Sequence, residues 1–290
     1  MNLSTQINKI RDVDDQIFKL VDASLIDLTK DILKSKYPLT SKALIMLVTK
    51  SNFIKNSIFD ICENEDLYSA NILYRSLIEH SLRYQFIIMN CSENKNDDIG
   101  IDYYKYCDMG ENLDFLKALK STNAMFADPS FEELDTWKEI SRFDKRFLKS
   151  TPKEIKAKKE QFNYKNMIKF LSSTLSLQKG MFKKIIPIYS ELSSFVHGGP
   201  QGENTFFTNA IDEEARKRKL INICEITFEI TKNIKLTTYL FASQFNQKYV
   251  IIYNQIKEAS KNLSHITGPT DSHQQKLGNT FIASKLNQAR

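Results

Sequence analysis

"NILYRSLIEHSLRYQFIIMN", Asn71 to Asn90, reads as one helix that is apolar on almost every side, yet Arg75, Glu79, His80 and Arg83 stand in its middle. Leu, Ile, Phe and Tyr fill the stretch with no Gly or Pro to break it, as in a helix at the centre of a core. At about 100° per residue, Glu79 falls about 40° from Arg75 and Arg83 about 80°, with Tyr68, Ile72, Leu82 and Phe86 interleaved. A water-facing side would have collected Lys and Gln there. The strip therefore faces inward, where a charge is costly unless paired. Arg75 and Glu79, four residues apart, are placed to bond each other. His80 lies about 140° from Arg75 and points elsewhere.

The flanking sequence gives this helix its neighbours. Ile7, Ile10, Val13, Ile17, Leu20 and Val21 recur at three- and four-residue steps, predicting a helix from about Ser4 to Lys36. Pro38 ends that run, and Thr40 or Ser41 is the expected cap of a second helix reaching Glu63. A short acidic turn follows, with Asp66 as cap of the central helix. Two short connections in a row imply antiparallel neighbours. Beyond the polar "CSENKNDDIG" (91–100), helices are expected over Ile101–Leu119, after Pro129-Ser130, and over Tyr164–Leu177 and Gly180–Val196. A long helical pattern from Asp212 to about Leu263 calls for a kink or an interface. Only 8 Gly and 6 Pro in 290 residues argue against a sandwich, barrel or doubly wound sheet. The expectation is an all-α bundle of about seven to nine helices around a buried central helix. It forms one helical domain over 1–262, with its core at about 40–240, and a flexible polar tail at 263–290.

The net charge of +6 is carried mainly by Lys, Arg supplying 8 of 41 basic residues, so it is weak evidence for phosphate recognition. Residues 142–160 hold eight basic against three acidic side chains, either a solvated rim or a phosphate-contact surface. The cysteines, at 62, 91, 107 and 224, have no metal-ligand or redox spacing. No metal site and no cofactor is expected. Residues 1–11 have no apolar leader core, and no stretch approaches the roughly 20 apolar residues of a membrane span. A cytosolic protein without membrane contact is the expectation.

The inward strip needs a supplier of partners. In "IYSELSSFVHGG" (188–199), Tyr189, Ser193 and His197 step by four along one helix face near its C-terminus, where the dipole favours an imidazolium. His197 is the expected neighbour of Glu79, with Tyr189 and Ser193 beside it. The following "GGPQGEN" (198–204) reads as a flexible loop bordering a pocket, with a left-handed glycine cap and Pro200 as stop. A network that only fixes helix register would use the same residues.

Arg75-x3-Glu79 together with Tyr189-x3-Ser193-x3-His197 resembles the pattern of a bacterial family known as domain of unknown function 5677. The likeness spans about residues 40–240 and implies a helical protein without an assigned reaction. "RSLIEH" (75–80) also resembles the Arg-x4–6-His motif of HEPN ribonucleases, all-helical proteins of toxin–antitoxin and phage-defence systems. That likeness implies metal-independent acid–base cleavage of RNA at a dimer interface. The resulting expectation is a defence- or toxin-type effector acting on RNA or a nucleotide. Arg75 binds phosphate with Arg83 near it, His197 or His80 does acid–base work, and Glu79 orients the guanidinium. A homo-oligomer or partner protein is admitted. The alternative is a non-catalytic binding or scaffold protein whose Arg75–Glu79–His197 network is structural.

Overall fold

The computed structural model describes residues 2–126, 135–174 and 179–264, and among these there is no strand. Helix α1 spans Leu3–Leu33, α2 Pro38–Glu63 and α3 Leu67–Asn94. Next, α4 (Asp98–Asp102) runs through a π-helical turn (Tyr103–Cys107) into α5 (Asp108–Met125). Helix α6 (Thr136–Phe143), a 3-10 turn (Lys145–Lys149) and α7 (Pro152–Glu160) form a small appendage. They are followed by α8 (Tyr164–Thr174), α9 (Lys179–Val196), α10 (Pro200–Ile211), α11 (Glu213–Ala242) and α12 (Lys248–Ser264).

The all-α expectation holds, with more helices than seven to nine. The additional ones are short and set by local caps: Asp135 accepts from the Trp137 and Lys138 amides, and Thr151 from that of Glu154. "PQGEN", read as loop, opens α10 because Pro200 stands at the first helical position, where its missing N–H costs nothing. Gly198 does adopt the left-handed conformation (φ 61°) that ends α9. The long pattern from Asp212 divides into α11 and α12 at a turn instead of kinking. Helix α3 starts where Asp66 accepts from the Ser69 amide, and it continues through Cys91–Asn94 to a left-handed Lys95. The tail and the Pro129-Ser130 start lie outside the described residues.

Helix α3 is the central element: it touches α2, α4, α8, α9 and α11 and buries Leu77, Leu82, Phe86, Ile87 and Ile88. Helices α1, α2, α11 and α12 pack with it around the main core. Tyr106, Met109, Leu113, Ile140, Phe147 and Ile155 form a second, smaller core under the appendage. Inside the main bundle three charges meet that the sequence reading passed over. Asp14 of α1 accepts from Lys55 of α2 and, at 3.2 Å, from Lys235 of α11, and all three are buried.

The start of α2 is capped from a distance. Neither Thr40 nor Ser41 is the cap: Pro38 takes the first helical position, and the Asp97 carboxylate accepts from the amides of Leu39 (2.9 Å) and Thr40 (2.7 Å). Gly100 seats α4 against that end, since a Cβ there would fall on the backbone of Leu39 and Thr40. Gly→Ala inside a helix ordinarily stabilises by up to about 1 kcal/mol. Gly100→Ala is expected to destabilise instead, by about 1–3 kcal/mol, because backbone must move. The urea midpoint of the variant checks this, and a midpoint at or above the parent's would contradict the seating.

Candidate functional site

Arg75 and Glu79 do pair, Nη2 to Oε1 at 3.1 Å, as their spacing requires. Their common partner is Tyr189 of α9. Arg75 Nη2 donates to Tyr189 Oη at 2.8 Å, and the phenol donates to Glu79 Oε1 at 2.5 Å. The guanidinium also sits over the Tyr189 ring, 4.8 Å from its centre, and Tyr164 stacks on that ring at 3.8 Å. Burial, reinforced by the Glu79 carboxylate and opposed by Arg75, raises the Tyr189 pKa, so the phenol keeps the proton it donates. The triangle closes on itself and joins α3 to α9. Glu79 is 35% exposed, so losing Arg75 would not strand a fully buried charge.

His197 is not in that triangle. Steps of four rotate about 40° each, so His197 lies about 80° around α9 from Tyr189. The helix also ends at Val196, which leaves His197 exposed on the turn. Among the described residues, the side chains of His197 and Ser193 make no hydrogen bond to the Arg75–Glu79 pair.

His80 and Arg83 face another part of the surface. The half-buried His80 ring has Nδ1 2.8 Å from the Ser76 carbonyl. With Nδ1–H donating there, Nε2 keeps a free lone pair. Burial first, then the charges of Arg83 and Lys50, push the His80 pKa below its ordinary value, against the opposing Ser76 carbonyl and Glu79. The charged imidazolium is disfavoured at this position.

Arg83 and Lys50 line a cleft of about 990 Å³ between α3, the π-helical turn, α5, α6 and α7, together with Tyr103, Tyr104, Trp137 and Phe162. Among the described residues neither cation has a carboxylate within ion-pair distance. Arg83 Nε is buried without an acceptor, and so is the Tyr104 hydroxyl. Of the four carboxylates lining the cleft, Asp108 is held by Arg146, Asp114 by Lys159 and Glu160 by Lys156, while Glu111 has no such ion pair among the described residues. The Cys107 thiol, pushed up to about 11 by burial in spite of Arg83, is not a reactive thiolate. Much of the basic 142–160 segment is engaged in ion pairs: Arg142 with Glu139, Arg146 with Asp144 and Asp108, Lys158 with Asp102, Lys159 with Asp114.

Of the residues named from the sequence, Arg75, Glu79 and Tyr189 lie in contact and Arg83 lines the cleft, while Lys50, Tyr164 and the aromatic wall were not named. The signal for that wall was the Tyr103, Tyr104, Tyr106 cluster. Among the described residues no three His, Cys, Asp or Glu side chains gather as metal ligands, and no helix is long and apolar enough to cross a membrane.

Residues 41–215, more than half of the chain, match the model of a family described as "Family of unknown function (DUF5677)". No curated protein and no solved structure matches the chain.

Proposed function

The chain belongs to the family of unknown function DUF5677, and from that premise we propose that it acts on RNA or a nucleotide through His80, Arg83 and Lys50. The observation that carries this reading is that Arg83 and Lys50, neither of them in an ion pair among the described residues, line a cleft, with the half-buried His80 one turn before Arg83 on α3. A phosphodiester needs both parts. Arg83 and Lys50 hold the phosphate oxygens, where charge grows in the transition state. His80 Nε2 takes the proton of a ribose 2′-hydroxyl, O2′ attacks the adjacent phosphorus, and the bond to the 5′ oxygen breaks. That oxygen leaves with a proton from water, and the imidazolium returns its own to solvent.

In this reading Arg75, Glu79 and Tyr189 hold α9 against α3 and take no part in proton transfer. His197 and Ser193 take no step. The phosphate contact expected of Arg75 passes to Arg83, and of the two histidines expected to do acid–base work this reading keeps His80.

The test is cleavage of a labelled single-stranded RNA by the parent protein and three variants. His80→Ala is expected to lose about a hundredfold or more in rate, Arg83→Gln a comparable factor, and His197→Ala nothing. A toxin-type effector adds that overexpression arrests growth and that His80→Ala relieves the arrest. Cleavage undiminished in His80→Ala sinks the reading. A parent protein that neither cuts nor binds RNA or nucleotides supports the scaffold alternative.

A further inference from the structure

The cleft has more structure than a phosphate alone would need. Its volume of about 990 Å³ lies at the upper end of the roughly 300–1,000 Å³ typical of small-ligand sites. Its lining includes Arg83 and Lys50, and the half-buried side chains of Tyr103, Tyr104 and Trp137 supply aromatic surface. The Tyr104 hydroxyl and Arg83 Nε are both buried without partners, so two of the lining residues have polar groups left unsatisfied. Lys117, Lys153, Lys156 and Lys159 add further cations to the lining, Lys159 already paired with Asp114. Cations beside aromatic rings packed edge to face match a ligand that carries both a negative charge and a flat ring.

We propose that this cleft seats one nucleoside phosphate, its phosphate on Arg83 and Lys50 and its base against the aromatic lining. The inference rests on the RNA or nucleotide reading above and specifies the unit that the site accepts. That unit is either a free nucleotide or one unstacked residue of a single strand. A base paired within a duplex is excluded, since its faces are covered by its neighbours.

Trp137 is the only tryptophan of the chain and lines the cleft, so its emission reports occupancy directly. Titration with adenosine or uridine 5′-monophosphate is expected to change that emission saturably. Inorganic phosphate should compete, and the nucleoside without phosphate should bind more weakly. Arg83→Gln is expected to weaken binding about tenfold or more, since a charge-assisted pair is lost. The exposed Lys50→Gln should act in the same direction if Arg83→Gln does not fold. His197→Ala should bind as the parent does. A short single strand displacing the mononucleotide at lower concentration identifies the strand as the source. A mononucleotide that binds and resists displacement identifies the free nucleotide.

No saturable change with any nucleotide, or unchanged affinity in both cation variants, overturns the inference. The two failures are separable. RNA cleavage that needs His80 while Trp137 stays silent rejects the nucleotide seat and keeps the proposed function. Nucleotide binding that needs Arg83, with no RNA cleavage and no effect of His80→Ala on any turnover, keeps the seat and rejects the catalytic reading.

Discussion

Asp14→Asn is expected to lower stability by about 3–5 kcal/mol, the range for removing one member of a buried ionic group. Asp14 is the one carboxylate between Lys55 and Lys235, and all three side chains are nearly or wholly shielded from water. Asparagine keeps the shape and removes the charge, so two ammonium groups in the core lose their counter-ion. One or both must then give up a proton or draw water into the junction of α1, α2 and α11. Denaturant unfolding of the variant measures the loss. A change below about 1 kcal/mol would mean that the junction is wet.

The same cluster holds two cations against one anion, so removing the right lysine should help. Burial, with Lys55 adding to it and Asp14 opposing, brings the Lys235 pKa down to about 8 from 10.5. A depressed lysine binds its proton less tightly folded than unfolded. Its stabilising contribution is therefore complete above pH 10.5 and is lost as pH falls through 8. At pH 7 the parent carries the whole penalty. Lys235→Met leaves a balanced Asp14–Lys55 pair and fills the space with a flexible apolar chain, and a neutral to stabilising change is expected at pH 7. The decisive quantity is the difference between variant and parent. Buried Cys91, Cys107 and Cys224 have raised pKa values, as do many tyrosines, and each erodes stability as alkali ionises the unfolded chain. Those contributions are common to both proteins and cancel. The variant's advantage should shrink by about 2 kcal/mol between pH 8 and pH 10. A constant difference across that window would show that Lys235 keeps its ordinary proton affinity.

Neither effect was visible from the central helix, although the wheel that isolated Arg75 and Glu79 would have found the cluster. Asp14 falls among Ile10, Ile17 and Val21, and Lys55 among Leu44, Leu47 and Ile58, each inside the apolar stripe of its helix. What no single helix could give is which stripes meet. The Arg75–Glu79 contact was legible because spacing alone fixes it. The identity of its partner depended on how α9 is turned against α3, and that angle is set by packing along its whole length. The sequence put His197 first, with Tyr189 and Ser193 beside it, and it is Tyr189 that bonds the pair. The ion pairs of the basic run at 142–160 were hidden for the same reason. Several of its counter-charges, Asp102, Asp108 and Asp114, lie in an earlier stretch of the chain. The cleft collects side chains from α2, α3, the π-helical turn, α5, α6 and α7, and no local pattern announces such a gathering.

The π-helical turn at Tyr103–Cys107 is continuous with α4 and α5, so one rod serves two cores. Ile99, Tyr103 and Cys107 pack toward the main bundle, while Tyr106, Met109 and Leu113 belong to the smaller one. Such a turn holds one residue more than an α-helical turn, and each residue advances the rod by about 100°. The extra residue thus acts as a phase setting between two otherwise independent packing problems. Shortening the rod by one would swing Met109 and Leu113 away from Ile140 and Ile155 and close or splay the cleft, with every other side chain unchanged. The width of the cleft is encoded in a count of residues, a property that substitution leaves alone and a single-codon deletion would erase.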